Sequence, residues 1–197
     1  MSVGAAKFGL MAAAGVGGFD DEGSWHAIKS FALGSNTPSV QFTSAGSEKP
    51  WSDYQDLVLI MVARGTNNGT PGVTTTFNSG ASGGYQWEEI HGNGTSVSAQ
   101  GTRDAEYFRV GHIIGADQNA DYFSTNINYM YDINNTSYFQ MVLIQDGYMS
   151  QDMSGDNSIR YRVVNWDNTA AITEFTMNPD GNFLAGSRFD LYGVKGE

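Results

Sequence analysis

The sequence predicts an all-β fold, a jelly-roll-like antiparallel sandwich, on three observations. Short runs rich in Val, Ile, Thr, Phe and Tyr recur along the whole chain. Clusters of Gly, Asn, Asp and Ser interrupt them roughly every ten residues, the punctuation of a sandwich or barrel. Hydrophobic residues make up 40% of the composition and aromatics 13%, enough for a sizeable core, while 25 glycines against 4 prolines indicate many tight turns. At 197 residues the chain fits one all-β domain, expected over 24–197 and preceded by a short arm over 1–23.

Taken in order, Ser24–Leu33 supplies a first strand and Ser39–Ser44 a second. The third, Asp56–Ala63, is apolar on both faces, which fits a central strand covered by the facing sheet on one side and by a neighbouring subunit or the arm on the other. Its β-branched content and flanking turns argue against a buried helix. Thr74–Asn78, Tyr85–His91 and Glu106–Ile114 follow. Phe123–Ile133 and Ser137–Gln145 flank Asn134-Asn135-Thr136, whose asparagines tolerate the left-handed conformation of a tight hairpin. In Ile159–Trp166 the two-residue period puts Arg160 and Arg162 on one face and Ile159, Tyr161 and Val163 on the other. The arginine face is expected to meet solvent or an acidic partner. Ile172–Met177 and Arg188–Val194 close the fold on either side of a Gly/Asn turn, making about eleven strands, ample for two sheets.

Charge and composition exclude several classes of function. Ten Lys and Arg against 21 Asp and Glu give a net charge of −11, so the surface repels phosphate backbones and nucleic-acid binding is not expected. The absence of cysteine rules out a disulfide framework and a thiolate metal site. Lys7 followed by Phe-Gly-Leu-Met-Ala-Ala-Ala-Gly-Val16 has the order of a secretory signal, but the apolar run is broken by Gly9 and Gly15 and is too short to span a bilayer. No membrane partner is expected. The arm ends in Gly17-Gly18 and Asp20-Asp21-Glu22 and cannot form a core alone. Lys7, Phe8, Leu10 and Met11 are therefore candidates for anchoring it on a partner protein, the alternative being a terminus packed on its own domain.

Catalytic chemistry finds little support. His26, His91 and His112 each lie in or beside a strand, and no serine sits in a nucleophile elbow, so hydrogen bonding within the fold is their expected role. Glycoside hydrolysis needs two carboxylates across a cleft. The local clusters are Glu88-Glu89, Asp104 with Glu106, and Asp152 with Asp156, and adjacent Glu88 and Glu89 point to opposite faces of a strand. Asp152-Met-Ser-Gly-Asp-Asn157 lacks the ligand spacing and closing Glu of an EF-hand and reads as a polar turn. Gly80–Gly84 and Gly92-Asn-Gly94 open no helix that could hold phosphate and read as hairpin loops. The sequons at Asn68, Asn93, Asn134 and Asn135 are expected by chance in so Asn- and Thr-rich a chain. No enzyme, cofactor or metal is expected. Trp25, Trp51, Trp87 and Trp166 suit either the core and subunit interfaces or sugar-stacking platforms, and Trp51, Trp87 and Trp166 are kept as candidate surface aromatics for a glycan or an interface.

A family resemblance rests on particular residues. Ser39-Val-Gln-Phe-Thr-Ser44, Tyr54-Gln-Asp-Leu-Val-Leu59 with Arg64, Gly92-Asn-Gly94, Thr169-Ala-Ala-Ile-Thr173, Gly181-Asn-Phe183, Ala185-Gly-Ser187 and Leu191-Tyr-Gly-Val194 resemble a β-sandwich family common in virion proteins of tailed bacteriophages. The match covers residues 39–194. The resemblance implies a non-enzymatic, jelly-roll-like module on the virion, a head decoration (cement) protein or part of a tail fibre or spike that grips a host glycan, usually as a homotrimer. Its partners would be phage coat or other virion proteins. The chain departs from the family pattern in the acidic loop Gly147–Asn157 and in the spacer Ala45–Trp51, the places where partner choice would vary.

Overall fold

The computed structural model describes residues 25–79, 84–149 and 157–196. The arm, with Lys7, Phe8, Leu10 and Met11, lies outside them, as do Asp152 and Asp156. Strands β1 (Trp25–Ala32) and β2 (Val40–Thr43) open the fold, and a single 3-10 turn at Trp51–Asp53 leads into β3 (Asp56–Ala63) and β4 (Gly72–Phe77). Then come β5 (Tyr85–Gly92), β6 (Val97–Ala105), β7 (Phe108–His112) and β8 (Ser124–Tyr131). The series ends with β9 (Gln140–Tyr148), β10 (Ser158–Trp166), β11 (Glu174–Pro179) and β12 (Arg188–Val194).

These strands build a two-sheet antiparallel sandwich, as expected, with an uneven split. The larger sheet has eight strands in the order β1-β12-β3-β8-β9-β10-β5-β6, and the smaller has four in the order β2-β11-β4-β7. Between them the side chains of Phe42, Trp51, Phe77, Trp166, Phe175 and Phe189 are sealed from solvent. Ring pairs such as Phe31–Phe42 at 5.7 Å and Phe77–Trp166 at 5.3 Å tie the two layers together. Each such side chain contributes roughly 1.5–3 kcal/mol through burial alone. The third strand is central, between β12 and β8. Leu57, Leu59, Met61 and Ala63 of β3 face the small sheet with no exposure at all.

The motifs quoted above meet at the two ends of β3. Just before it, the Tyr54 ring lies flat on the backbone of Gly193 in β12, so close that a Cβ there would fall 2.3 Å from the ring. Just after it, buried Arg64 has no carboxylate partner among the described residues and instead donates to three carbonyls of one loop, those of Asn119 at 2.7 Å, Gly115 at 2.9 Å and Gln118 at 2.8 Å. Its backbone N–H donates to Ser187 Oγ at 3.2 Å. Tyr54 with Gly193 at one end and Arg64 with Ser187 at the other thus clamp β12 against β3.

Several expectations need correction. Strand β6 was not foreseen, because Val97–Ala105 carries no alternation to read and eight of its nine residues are exposed. The segment expected as one strand over Glu106–Ile114 shortens to β7. The β8–β9 hairpin forms as expected, but its left-handed residue is Asp132, at φ 46°, and neither asparagine. Asn134 instead donates its side-chain amide to the carbonyls of Trp51 and Tyr54. Gly92-Asn-Gly94 closes the β5–β6 hairpin, with Asn93 Oδ1 accepting from the N–H groups of Thr95 at 3.1 Å and Ser96 at 2.9 Å. Gly80–Gly84 is no hairpin loop, since β4 and β5 belong to different sheets, and the Gly/Asn turn between β11 and β12 likewise crosses between sheets.

The Tyr54–Gly193 contact yields a direct test. Gly193→Ala is expected to cost about 1–3 kcal/mol in urea unfolding through overpacking. An unchanged midpoint would mean that the ring swings aside freely.

Candidate functional site: a charged interior and an apolar outer face

Strand β10 inverts the usual polarity of a sandwich. Its inward residues are Ser158, Arg160, Arg162, Val164 and Trp166, while Ile159, Tyr161 and Val163 point away from the core at 61%, 46% and 42% exposure. The two faces expected from the sequence are therefore present, but the arginines line the interior and the hydrophobic residues meet the outside. The expectation of a solvated arginine face is overturned.

Buried carboxylates make this arrangement possible. Strand register sets Arg162 opposite Glu89 of β5, and the guanidinium Nη2 donates to Glu89 Oε2 while Nη1 donates to the Arg109 carbonyl at 2.5 Å. Arg160 Nη1 lies 3.4 Å from Glu89 Oε1, and Gln100 donates to the same oxygen at 3.0 Å. Burial lowers the Arg162 pKa to about 10, which leaves it cationic at neutral pH. Breaking such a pair by removing one member leaves an uncompensated buried charge, a loss of about 3–5 kcal/mol. Glu88, its neighbour in sequence, is exposed on the opposite face of β5, as the two-residue period requires.

The second half of the cluster is His112 with Asp146. Asp146 Oδ2 accepts from the His112 backbone N–H at 3.0 Å and lies 3.3 Å from Nδ1, while Nε2 is 3.1 Å from Arg160 Nη1. The neutral tautomer protonated at Nδ1 satisfies both contacts, donating to Asp146 and accepting from Arg160. Protonating Nε2 would set a donor against a guanidinium. Burial first, and Arg160 with Arg109 after it, therefore push the His112 pKa down, against the opposing pull of Asp146. Every member of this cluster contacts another, while Asp146 Oδ1 and Arg162 Nε are buried without a hydrogen-bond partner among the described residues. Among the described residues no group of three or more His, Asp or Glu side chains could hold a metal ion.

The tryptophans divide between the two faces. Trp51 and Trp166 are sealed in the core, so neither serves as a surface platform for a glycan. Trp87 is half-buried, and the Arg162 guanidinium lies 5.5 Å from its ring centroid. Trp25, not singled out as a site residue from the sequence, is 48% exposed on the outer face of the large sheet, where it packs against Tyr129 at 6.1 Å and Tyr192 at 5.8 Å.

That outer face is the most distinctive surface of the molecule. On β8 it presents Thr125, Ile127, Tyr129 and Tyr131, on β9 Met141, Leu143, Gln145 and Gly147, and on β10 Ile159, Tyr161, Val163 and Asn165. Register aligns these rows side by side, Tyr161 beside Gln145 and Ile90, and Val163 beside Leu143. Half-buried Ile60 and Val62 continue the surface on β3, Ile90 and Val97, 51% and 73% exposed, extend it onto β5 and β6, and the exposed carboxylate of Glu88 stands on it beside Val163. A hollow of about 350 Å³ opens at one end between Tyr131, Tyr138, Phe139, Met141, Leu143 and Val163. Sequence reasoning passed over this face for want of a sign of which side of each strand was inside. The available signal was that β3, β8, β9 and β10 all carry apolar residues on the outer phase of their period.

Compared with protein-family models, curated proteins and solved structures, the chain matches none.

The His112 contacts set a pH dependence. A histidine whose folded pKa lies below its unfolded value leaves stability intact at neutral pH and removes it as pH falls below about 6.5, because the unfolded chain takes up the proton first. Urea unfolding followed from neutral to mildly acidic pH should therefore show a loss that His112→Gln abolishes in part. Parallel pH profiles for the two proteins would contradict this reading.

Proposed function

We propose that the protein is a non-enzymatic structural subunit of a bacteriophage virion, acting as a decoration protein that binds and stabilises the assembled head. The observation that carries the reading is the outer face: across β8, β9 and β10 its outward positions hold large apolar side chains and no charged one, a surface suited to being covered by protein. The motif resemblance supplies the setting, and the buried ionic cluster, with its charged groups engaged by one another, fits a structural module better than a catalyst.

The mechanism is non-covalent stapling. A rigid sandwich that buries area on two or more coat subunits opposes the outward pressure of packaged DNA, and it stabilises the shell by mass action because its sites exist only in the assembled state. The excess of 21 acidic over 10 basic residues keeps the remaining surface soluble and particles dispersed. The resemblance further implies a homotrimer, with the arm around Lys7, Phe8, Leu10 and Met11 anchoring the sandwich on its virion partner.

A tail module that grips a host glycan is the second reading. A cleft of about 300 Å³ beside Trp87, walled by Tyr107, Arg109 and Arg162, favours it by offering aromatic and cationic groups together.

Gold-labelled antibody against the protein, counted on heads and tails of purified virions, tests the proposal. Label spread over heads is the expected result. Label confined to tails would transfer the protein to the second reading, and unlabelled particles would overturn both.

A further inference from the structure

We infer that the interior between β7, β8 and β9 is a binding site for water, in which about two ordered molecules complete the hydrogen bonding of Asn126, Asn128 and Asp146. The inference goes beyond the virion reading and stands or falls apart from it.

Burial is the first observation. Asn126 and Asn128 are 0% exposed and Asp146 is 3% exposed. Five of their side-chain atoms, Nδ2 and Oδ1 of both asparagines and Oδ1 of Asp146, are sealed from solvent and make no hydrogen bond among the described residues. Exchanging the oxygen and nitrogen of either amide changes nothing, because both ends of each are unpartnered. Buried polar groups in folded proteins almost always have a partner, since one without it loses its hydration and gains nothing in return.

Position is the second. Register sets Asn126 of β8 opposite Asp146 of β9, with Cβ atoms about 5 Å apart in such a pair, and Asn128 follows two residues on along the same inner face. Asn126 and Asp146 both reach across the sandwich to the same two residues of β7. Asp146 Oδ2 accepts from the His112 N–H at 3.0 Å. Asn126 Oδ1 lies so near Gly111 that a Cβ on that residue would fall 1.8 Å from it. The unpartnered atoms therefore gather beneath the edge strand of the small sheet.

Chemistry selects the ligand. The five atoms comprise two amide donor groups and three oxygen acceptors. A metal ion binds the oxygens alone and leaves both Nδ2 groups bare. It also adds charge to an interior in which Arg160 and Arg162 already balance Glu89 and Asp146. An apolar molecule satisfies none of the five. Water donates and accepts at once, and a buried molecule makes about three hydrogen bonds, so five atoms call for about two molecules. Bound there, they bridge β7 to the polar strands of the large sheet.

Nuclear magnetic resonance of the full chain labelled with 15N is the test. Overhauser peaks from water to the Nδ2 protons of Asn126 and Asn128 are expected, with the sign that marks water tumbling with the protein. Exposed Asn68 is expected to show no such peak. Asn128→Leu is expected to fold, because an apolar side chain of similar shape brings no unmet hydrogen bond, and to weaken the Asn126 peaks about twofold by releasing one of the two molecules. Absence of the peaks at both asparagines, or Asn126 peaks indifferent to Asn128→Leu, overturns the inference. A metal ion retained in stoichiometric amount by the native chain in mass spectrometry overturns it as well. Should Asn128→Leu fail to fold, the wild-type spectra decide alone.

Discussion

In β10 the two-residue period leaves one choice: if Arg160 and Arg162 point into the sandwich, Ile159, Tyr161 and Val163 must point out of it. Everything distinctive about the molecule follows from that register. The inward arginines require a buried carboxylate, which β5 supplies as Glu89, while Asp146 of β9 holds His112 beside Arg160. The outward residues require a cover that the domain itself does not provide.

The register is fixed from both sides. Arg162 stands opposite Glu89 on one neighbour and Ile144 on the other, and a slip of one residue would move both arginines away from their carboxylate and push Trp166 out of the core. A buried ion cluster of this kind adds little net stability over an apolar core, yet it penalises every alternative pairing heavily. It thereby holds the outer face in one pattern of side chains, as a surface that must match a partner requires. At the far edge of the sheet the clamp of Tyr54, Arg64, Ser187 and Gly193 holds β12 on β3.

Much of this was legible in the sequence. The all-β class, the central position of Asp56–Ala63 and the β8–β9 hairpin follow from composition, period and turn residues. The polarity of β10 was not legible, because alternation separates two faces without saying which is inside; polar residues face water in most strands, and here pairing with Glu89 overrides that tendency. Trp51, in a 3-10 turn, and Trp166, in a strand, gave no sign of their burial, since a tryptophan suits core and surface alike. Val97–Ala105 escaped notice because an edge strand exposed on both sides needs no apolar pattern. Glu89 was visible only as half of an adjacent carboxylate pair, and its partners Arg160 and Arg162 lie some seventy residues away, beyond what local pattern reports.

The central claim is that the outer face is buried in the native protein. Hydroxyl-radical footprinting of the protein on purified virions, read by mass spectrometry, measures this directly. Tyr161, Tyr131 and Tyr107 are 46%, 43% and 49% exposed in the isolated subunit, but only the first two lie on the outer face. The account predicts that Tyr161 and Tyr131 are strongly protected relative to Tyr107. Equal modification of all three would contradict it.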